Sequence, residues 1–159
     1  MFERVSKLKR DNNKNSSKAN LNNLKTIQIP TYILKDRTLA VLESITEYLK
    51  EEKKHSYHEI AEILNRDDRT IWTVYYRAKQ KRKNATRAVL ISKTPKISLP
   101  SKIFQNRSLA VLEAAVEFLK EKKDMTYHEI ASALNRDDRT IWTVHSRTKK
   151  KRRQNERAK

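Results

Sequence analysis

The sequence predicts an all-α protein built as two tandem three-helix units with basic, flexible arms. Three observations predict it. Residues 57–74 return almost unchanged as residues 127–144, and the match extends without insertion from 27–82 to 97–152, with 34 of 56 positions identical. A repeat of that length is one folding unit copied once. Within each copy, apolar residues recur at i, i+3, i+4 and i+7, the stripe of an amphipathic helix. Finally, Ser56 and Thr126 each stand three residues before a glutamate, Glu59 and Glu129, which is the capping-box spacing that opens a helix.

The chain therefore divides into a basic arm (1–26), a first unit (27–82), a basic linker (83–96), a second unit (97–152) and a basic tail (153–159). The arm holds seven basic and two acidic residues among Asn and Ser, with few large apolar groups, so it is expected to be disordered without a partner. Each unit opens with an apolar leading segment, Ile29-Pro30 to Leu34 or Leu99-Pro100 to Phe104, expected to pack on the unit as a short turn or helix. Thr38 (Ser108) is then placed as the cap of a supporting helix striped by Leu39, Leu42, Ile45 and Leu49, or Leu109, Leu112, Val116 and Leu119.

The repeated stretch itself reads as two helices. The first begins at Tyr57 (Tyr127) and buries Tyr57, Ile60, Ala61 and Leu64. Asn65 suits a tight turn because asparagine tolerates the left-handed conformation, and Asp67 is placed to cap the next helix through its first-turn amides. On that helix Ile71, Val74 and Ala78 face inward, leaving Arg69, Trp72, Thr73 and Tyr76 outside. In the linker, residues 85–91 suit either a helical spacer or a flexible tether, and Pro95 stops any helix.

At Tyr57-His58-Glu59-Ile60-Ala61 through Arg77-Ala78-Lys79 the sequence resembles the helix-turn-helix that closes bacterial sigma factors (region four) and recurs in response-regulator DNA-binding domains. The similarity covers about 26 residues of each copy, with Ala61 (Ala131) as the small residue and Ile60, Leu64, Ile71 and Val74 as apolar anchors. Two positions depart from it. Asn65 stands where the family usually has glycine, and Arg66 where an apolar residue is usual. The resemblance implies a second helix that enters the major groove of DNA.

Composition points the same way. With 37 Lys+Arg against 19 Asp+Glu the net charge is +18, which suits a polyanionic partner. The absence of glycine rules out phosphate-cradling loops and dinucleotide fingerprints, and the absence of cysteine rules out disulfides and cysteine-ligated zinc. His58-Glu59 and Asp67-Asp68 suit helix capping better than catalysis or metal binding, so no enzyme activity, cofactor, metal or small-molecule substrate is expected. No apolar run approaches ~18 residues and the start lacks a signal-peptide core, so no membrane association is expected, and the protein is expected in the cytoplasm, at the nucleoid.

The candidate base readers are Arg69, Trp72, Thr73 and Tyr76, with Arg139, Trp142, Thr143 and Ser146 in the second copy. Arg69 and Arg139 suit a guanine edge or a phosphate, against an ion pair with Asp67 or Asp68. Trp72 and Trp142 suit either the DNA-facing surface or the edge of the small core. The differences Tyr75/His145 and Tyr76/Ser146 imply slightly different base preferences in the two copies. The candidate phosphate contacts are Arg66, Thr70, Arg77, Lys79, Lys81 and Arg82, with Arg136, Thr140, Arg147, Lys149, Lys150, Lys151 and Arg152. Acid on the supporting helix and base at the end of the reading helix are expected to form one repelling and one attracting face.

The expected function is sequence-preferring binding of double-stranded DNA at two similar half-sites, about 10 bp or a multiple apart if both helices use one side of the duplex. Their relative orientation, direct or inverted, stays open. Transcriptional regulation is the first reading. A DNA-organising, chromatin or segregation role is the alternative, and a sigma-like RNA polymerase partner ranks third. RNA polymerase contact and self-association remain open partnerships, and RNA binding ranks low because the deep A-form groove does not admit a helix.

Overall fold

The structure, a computed structural model, describes residues 26–84 and 97–158. The expectations for a disordered arm up to residue 25 and for the linker at 85–96 lie outside the described residues. The chain is mostly helical. In order it forms β1 (Gln28–Pro30), a 3-10 turn (Thr31–Lys35), α1 (Val41–Glu51), α2 (Tyr57–Leu64) and α3 (Asp68–Asn84). The second copy repeats this as β2 (Ser98–Pro100), a 3-10 turn (Ser101–Gln105), α4 (Val111–Glu121), α5 (Tyr127–Leu134) and α6 (Asp138–Arg157). Among the described residues no helix is long and apolar enough to cross a membrane.

Local chemistry sets the helix starts. Ser56 Oγ accepts from the Glu59 amide at 3.2 Å, and the Glu59 carboxylate accepts from the Ser56 amide at 2.6 Å, the reciprocal box the spacing predicts. Thr126 and Glu129 do the same at 3.2 and 2.7 Å. The supporting helix starts later than expected. Thr38 does not cap it, because both its amide and its hydroxyl bond to Asp36 Oδ1, at 2.9 and 2.6 Å, in a turn ahead of the helix. Ser108 makes the same turn on Asn106. The cap position is Ala40 (Ala110), whose amide is taken by the carboxylate of Glu43 (Glu113) at 2.8 and 2.9 Å.

Four described residues, none of them glycine, hold the left-handed conformation: Lys54, Asn65, Asp124 and Asn135, with φ of 60, 52, 51 and 52°. Asn65 and Asn135 end α2 and α5 as the sequence predicts. Lys54 and Asp124 turn the chain after α1 and α4, where the His55 and Met125 amides reach back to the Leu49 and Leu119 carbonyls.

The leading segments depart most from expectation. They do pack on their own supporting helices, but each also reaches across to the other copy. β1 and β2 pair antiparallel with Ile29 opposite Leu99, and the 3-10 turn after each strand lies against the α5 or α2 of the opposite copy. Asn65 Nδ2 donates to the Gln105 carbonyl at 3.1 Å, and Asn135 Nδ2 to the Lys35 carbonyl at 3.0 Å. One apolar cluster results, with Ile29, Leu34, Ile45, Leu49, Ile60, Leu64 and Ile71 from the first copy and Leu99, Phe104, Val116, Leu119, Ile130, Leu134 and Ile141 from the second, all at most 2 % exposed.

Two expected outcomes follow from this packing. Because the apolar cluster is continuous across the copies, Ile29→Ala should cost ~2–4 kcal/mol and lower a single unfolding transition of the whole chain. Two separate calorimetric transitions, with only one displaced, would refute the shared core. Lys54→Gly should raise stability by roughly 0.5–1 kcal/mol, since glycine removes the left-handed penalty at that turn. Chemical denaturation checks it, and a loss of stability would mean that the Lys54 side chain contributes more than its backbone strain costs.

Candidate nucleic-acid interface

The helices α3 and α6 are aimed by the turn Asn65-Arg66-Asp67 and its copy. Left-handed Asn65 folds the chain back so that the Arg66 amide meets the Ala61 carbonyl at 2.8 Å, and the Asp67 carbonyl accepts the first helical bond of α3, from Ile71, at 3.0 Å. The Asp67 carboxylate does not take backbone amides as expected; it accepts from the Thr70 hydroxyl at 3.3 Å, and Asp137 makes no side-chain cap bond. Instead Asp68, on the first turn of α3, is bridged to α2 by His58 at 3.1 Å, and Asp138 to α5 by His128 at 3.2 Å. The hydrogen bond that its ring donates to the Asp68 carboxylate raises the His58 pKa above the ordinary imidazole range.

Ile71, Val74 and Ala78 are buried, so α3 turns Arg69, Trp72 and Tyr76 outward. Trp72 is 52 % exposed and Trp142 56 %. Of the two placements the sequence leaves open, the structure takes the outer face rather than the core edge. The Trp72 ring stacks on Tyr76, with centroids 5.5 Å apart and planes 10° from parallel. Arg69 and Arg139 are exposed and, among the described residues, make no ion pair. Three of the four neighbouring aspartates, Asp67, Asp68 and Asp138, are engaged by Thr70, His58 and His128. Thr73 and Thr143 donate their hydroxyls to the Arg69 and Arg139 carbonyls, each at 2.8 Å, so a methyl and an oxygen lone pair are left to face outward. Thr70 and Thr140 sit half-exposed on the first turn.

The candidates at position 76 and its neighbour separate. Tyr76 and Ser146 are both exposed, but the Tyr75/His145 difference faces inward. The Tyr75 hydroxyl bonds Glu51, whereas His145, 2 % exposed, lies between Glu121 at 3.0 Å and the Tyr127 hydroxyl at 2.9 Å. That difference is therefore a core substitution rather than a reading one.

The far ends of α3 and α6 carry ion pairs that the sequence did not indicate. Lys79, Lys81 and Arg82, expected at phosphate, pair with α1: Lys79 with Glu51 at 2.6 Å, Lys81 with Glu43 at 2.7 Å, and Arg82 with Glu47 at 2.8 Å and with Asp36. Lys151 and Arg152 pair with Glu113 and Glu117 at 2.7 and 2.6 Å. The acidic and basic groups do not form opposed faces, because α1 and α3 pack side by side and their charges meet in the groove. A phosphate at these five positions has to compete with a carboxylate already in place.

Arg77, Arg147, Lys149 and Lys150 remain exposed on the reading helices. Sequence reasoning missed Arg153 and Arg157, which with Ser146, Lys149, Lys150 and Gln154 line a shallow groove along α6. The signal was present in the 3- and 4-residue spacing from Ser146 onward. Arg66 and Arg136 are half-buried, and the Nε of each has no hydrogen-bond partner. Burial and the nearby Arg107 guanidinium lower the Arg66 value. Comparison with protein-family models, with curated proteins and with solved structures finds no match.

The Arg82 cluster makes a stability prediction. Arg82 is only 17 % exposed between two carboxylates, whereas Arg152 has Asn106 where Asp36 would be and is 43 % exposed. Arg82→Met should therefore cost about 1–2 kcal/mol and Arg152→Met under ~1 kcal/mol. Burial pushes the Asp36 carboxyl up, but hydrogen bonds from Thr38 and Arg82 outweigh it, and its value falls below the ordinary 3.8. A lowered folded value gives stability that is complete above 3.8 and disappears as pH falls through the folded value. Urea denaturation at stepped pH should show that Asp36→Asn flattens this acid loss; an unchanged acid limb would mean that Asp36 is solvated rather than paired.

Proposed function

We propose that the protein binds double-stranded DNA with sequence preference through two tandem helix-turn-helix units, α2–α3 and α5–α6, and acts as a transcriptional regulator at the nucleoid. The observation that carries this reading is the outer face of α3 and α6. Each helix follows a tight left-handed turn and directs an unpaired arginine, a solvent-facing tryptophan and a threonine methyl away from the core. Large exposed aromatics are costly to leave in water on a reading surface without a partner, and they supply apolar contact to sugars and thymine methyls. The resemblance to sigma factor region four and to response-regulator domains points to the same use of the second helix.

In this reading Arg69 and Arg139 meet base edges from the first turn, where a bidentate guanine contact is worth ~1–3 kcal/mol of discrimination. Trp72, Thr73 and Tyr76, with Trp142, Thr143 and Ser146, line the groove beyond them. Arg66, Thr70 and Arg77, and Arg136, Thr140, Arg147, Lys149 and Lys150, hold the backbone. The net charge of +18 steers the encounter and makes it salt-dependent.

Arg69→Ala combined with Arg139→Ala should weaken binding to a selected site by ~2–6 kcal/mol while leaving a salt-sensitive background on scrambled duplex. Fluorescence titration of the tryptophans against both duplexes measures it, and circular dichroism should show an unchanged helix content because both side chains are exposed. Retained selectivity in the double variant would show that another surface reads the sequence. No selectivity in the unaltered protein would instead favour a protein that coats or bridges DNA.

A further inference from the structure

The strand register, the backbone bonds that flank it and the asparagine bonds between the two copies occur in a form that survives exchanging them. The copies are offset by seventy residues, so Ile29 and Leu99 are equivalent, and they face each other in the strand pair. On either side Gln28 lies opposite Pro100 and Pro30 opposite Ser98, again equivalent pairs. The Thr31 amide donates to the Ile97 carbonyl at 2.9 Å, and the Ser101 amide to the Ile27 carbonyl at 2.8 Å. The Asn65 amide side chain reaches the Gln105 carbonyl at 3.1 Å, and that of Asn135 the Lys35 carbonyl at 3.0 Å. A head-to-tail repeat would use two different surfaces, one from each copy, and each contact would occur once. Contacts that occur in exchanged pairs around a self-paired position define a two-fold axis, here through Ile29 and Leu99.

A two-fold axis carries α3 onto α6 with its direction reversed along a duplex. We propose that the protein recognises an inverted repeat, two half-sites on opposite strands related by a near-palindrome, in which the symmetry is broken at the position faced by Tyr76 in one half-site and Ser146 in the other. The inference rests on the helix-turn-helix reading and names the kind of duplex it takes. The remaining outer groups, Arg69/Arg139, Trp72/Trp142 and Thr73/Thr143, are identical between the copies. Tyr75 and His145 differ but face the core.

The placement of the turns favours one duplex laid across the axis over two duplexes held apart. Asn65 and Asn135, immediately before the reading helices, are bonded across the copies, so the first turns with Arg69 and Arg139 start at the contact between the copies. The same contact brings Arg66 next to the segment carrying Arg107, and Arg136 and Arg37 are the equivalent residues flanking the other contact. Among the described residues none of these four arginines makes an ion pair. Like charges gathered between the reading helices suit the backbone of the central base pairs, which runs between the half-sites of an inverted repeat.

The test is selection from random duplex with the full chain at about 150 mM salt, followed by affinities for the winning half-site in inverted, direct and single form. The expected result is an inverted pair at one spacing, with the direct repeat bound about a hundredfold more weakly or worse. Tyr76→Ser should make the two selected half-sites alike. Selection of a direct repeat, or equal affinity for both orientations, overturns the inverted-repeat inference and leaves the DNA-reading function standing. Enrichment of no half-site at all overturns the function itself. An inverted pair whose asymmetry survives Tyr76→Ser overturns the assignment of that position alone.

Discussion

The structure depends on a pairing of two three-residue strands. Alone, a ribbon of that length is marginal in water. It persists here because each strand leads directly into a 3-10 turn wedged between the supporting helix of its own copy and the second helix of the other. The turns bury Leu34 and Phe104 at 2 and 1 % exposure. Breaking the Ile29–Leu99 contact therefore strips both turns from their seats. Pro30 and Pro100 close the strands, and the next amide, of Thr31 or Ser101, makes the last crossing bond. A proline has no amide to offer a further strand, which protects a short open edge from pairing with another chain.

Fixing the copies by their leading segments also fixes where charge is left over. The units are nearly balanced, with 11 basic and 9 acidic residues in 27–82 and 12 and 7 in 97–152. Packing of α1 on α3, and of α4 on α6, consumes much of the acid in ion pairs along the groove between them. The most exposed of them, Lys79–Glu51, contributes little stability, but together the pairs cancel the field on that side. Arginines left without a carboxylate lie on the outer face and near the contacts between the copies.

What was legible in the sequence was whatever a few neighbouring residues decide. The Ser56–Glu59 box, left-handed Asn65 and the inward line of Ile71, Val74 and Ala78 each involve partners within a helical turn or two, and each stands as read. Thr38 was misread because an equally local competitor, Asp36, takes both its donors, and nothing in the spacing ranks the two. The placement of Trp72 was open for a different reason: it sits at the margin of the stripe, where one residue's rotation separates core from surface. The strand pair and the α1–α3 ion pairs could not be read at all. They join residues 28 to 72 positions apart, and a sequence with two equivalent copies does not say whether a leading segment serves its own copy or the other.

Joining two copies in one chain also explains where they differ. In an assembly of identical subunits every substitution appears twice, but here each copy changes alone while the linker keeps the partner at high effective concentration. The positions that hold the axis keep their roles: Ile29 and Leu99 stay apolar, Pro30 and Pro100 and the two asparagines stay identical. Divergence falls where the fold can absorb it. Asn106 replaces Asp36 yet still makes the turn to Ser108, giving up only the second carboxylate on the arginine. His145 replaces Tyr75 and still reaches the matching glutamate, Glu121 for Glu51. Ser146 replaces Tyr76 in solvent, where no internal partner constrains it and the change alters only what the outer face presents. A near-symmetric scaffold thus lets outer positions such as Tyr76 and Ser146 differ without disturbing the contacts that hold α3 and α6 in register.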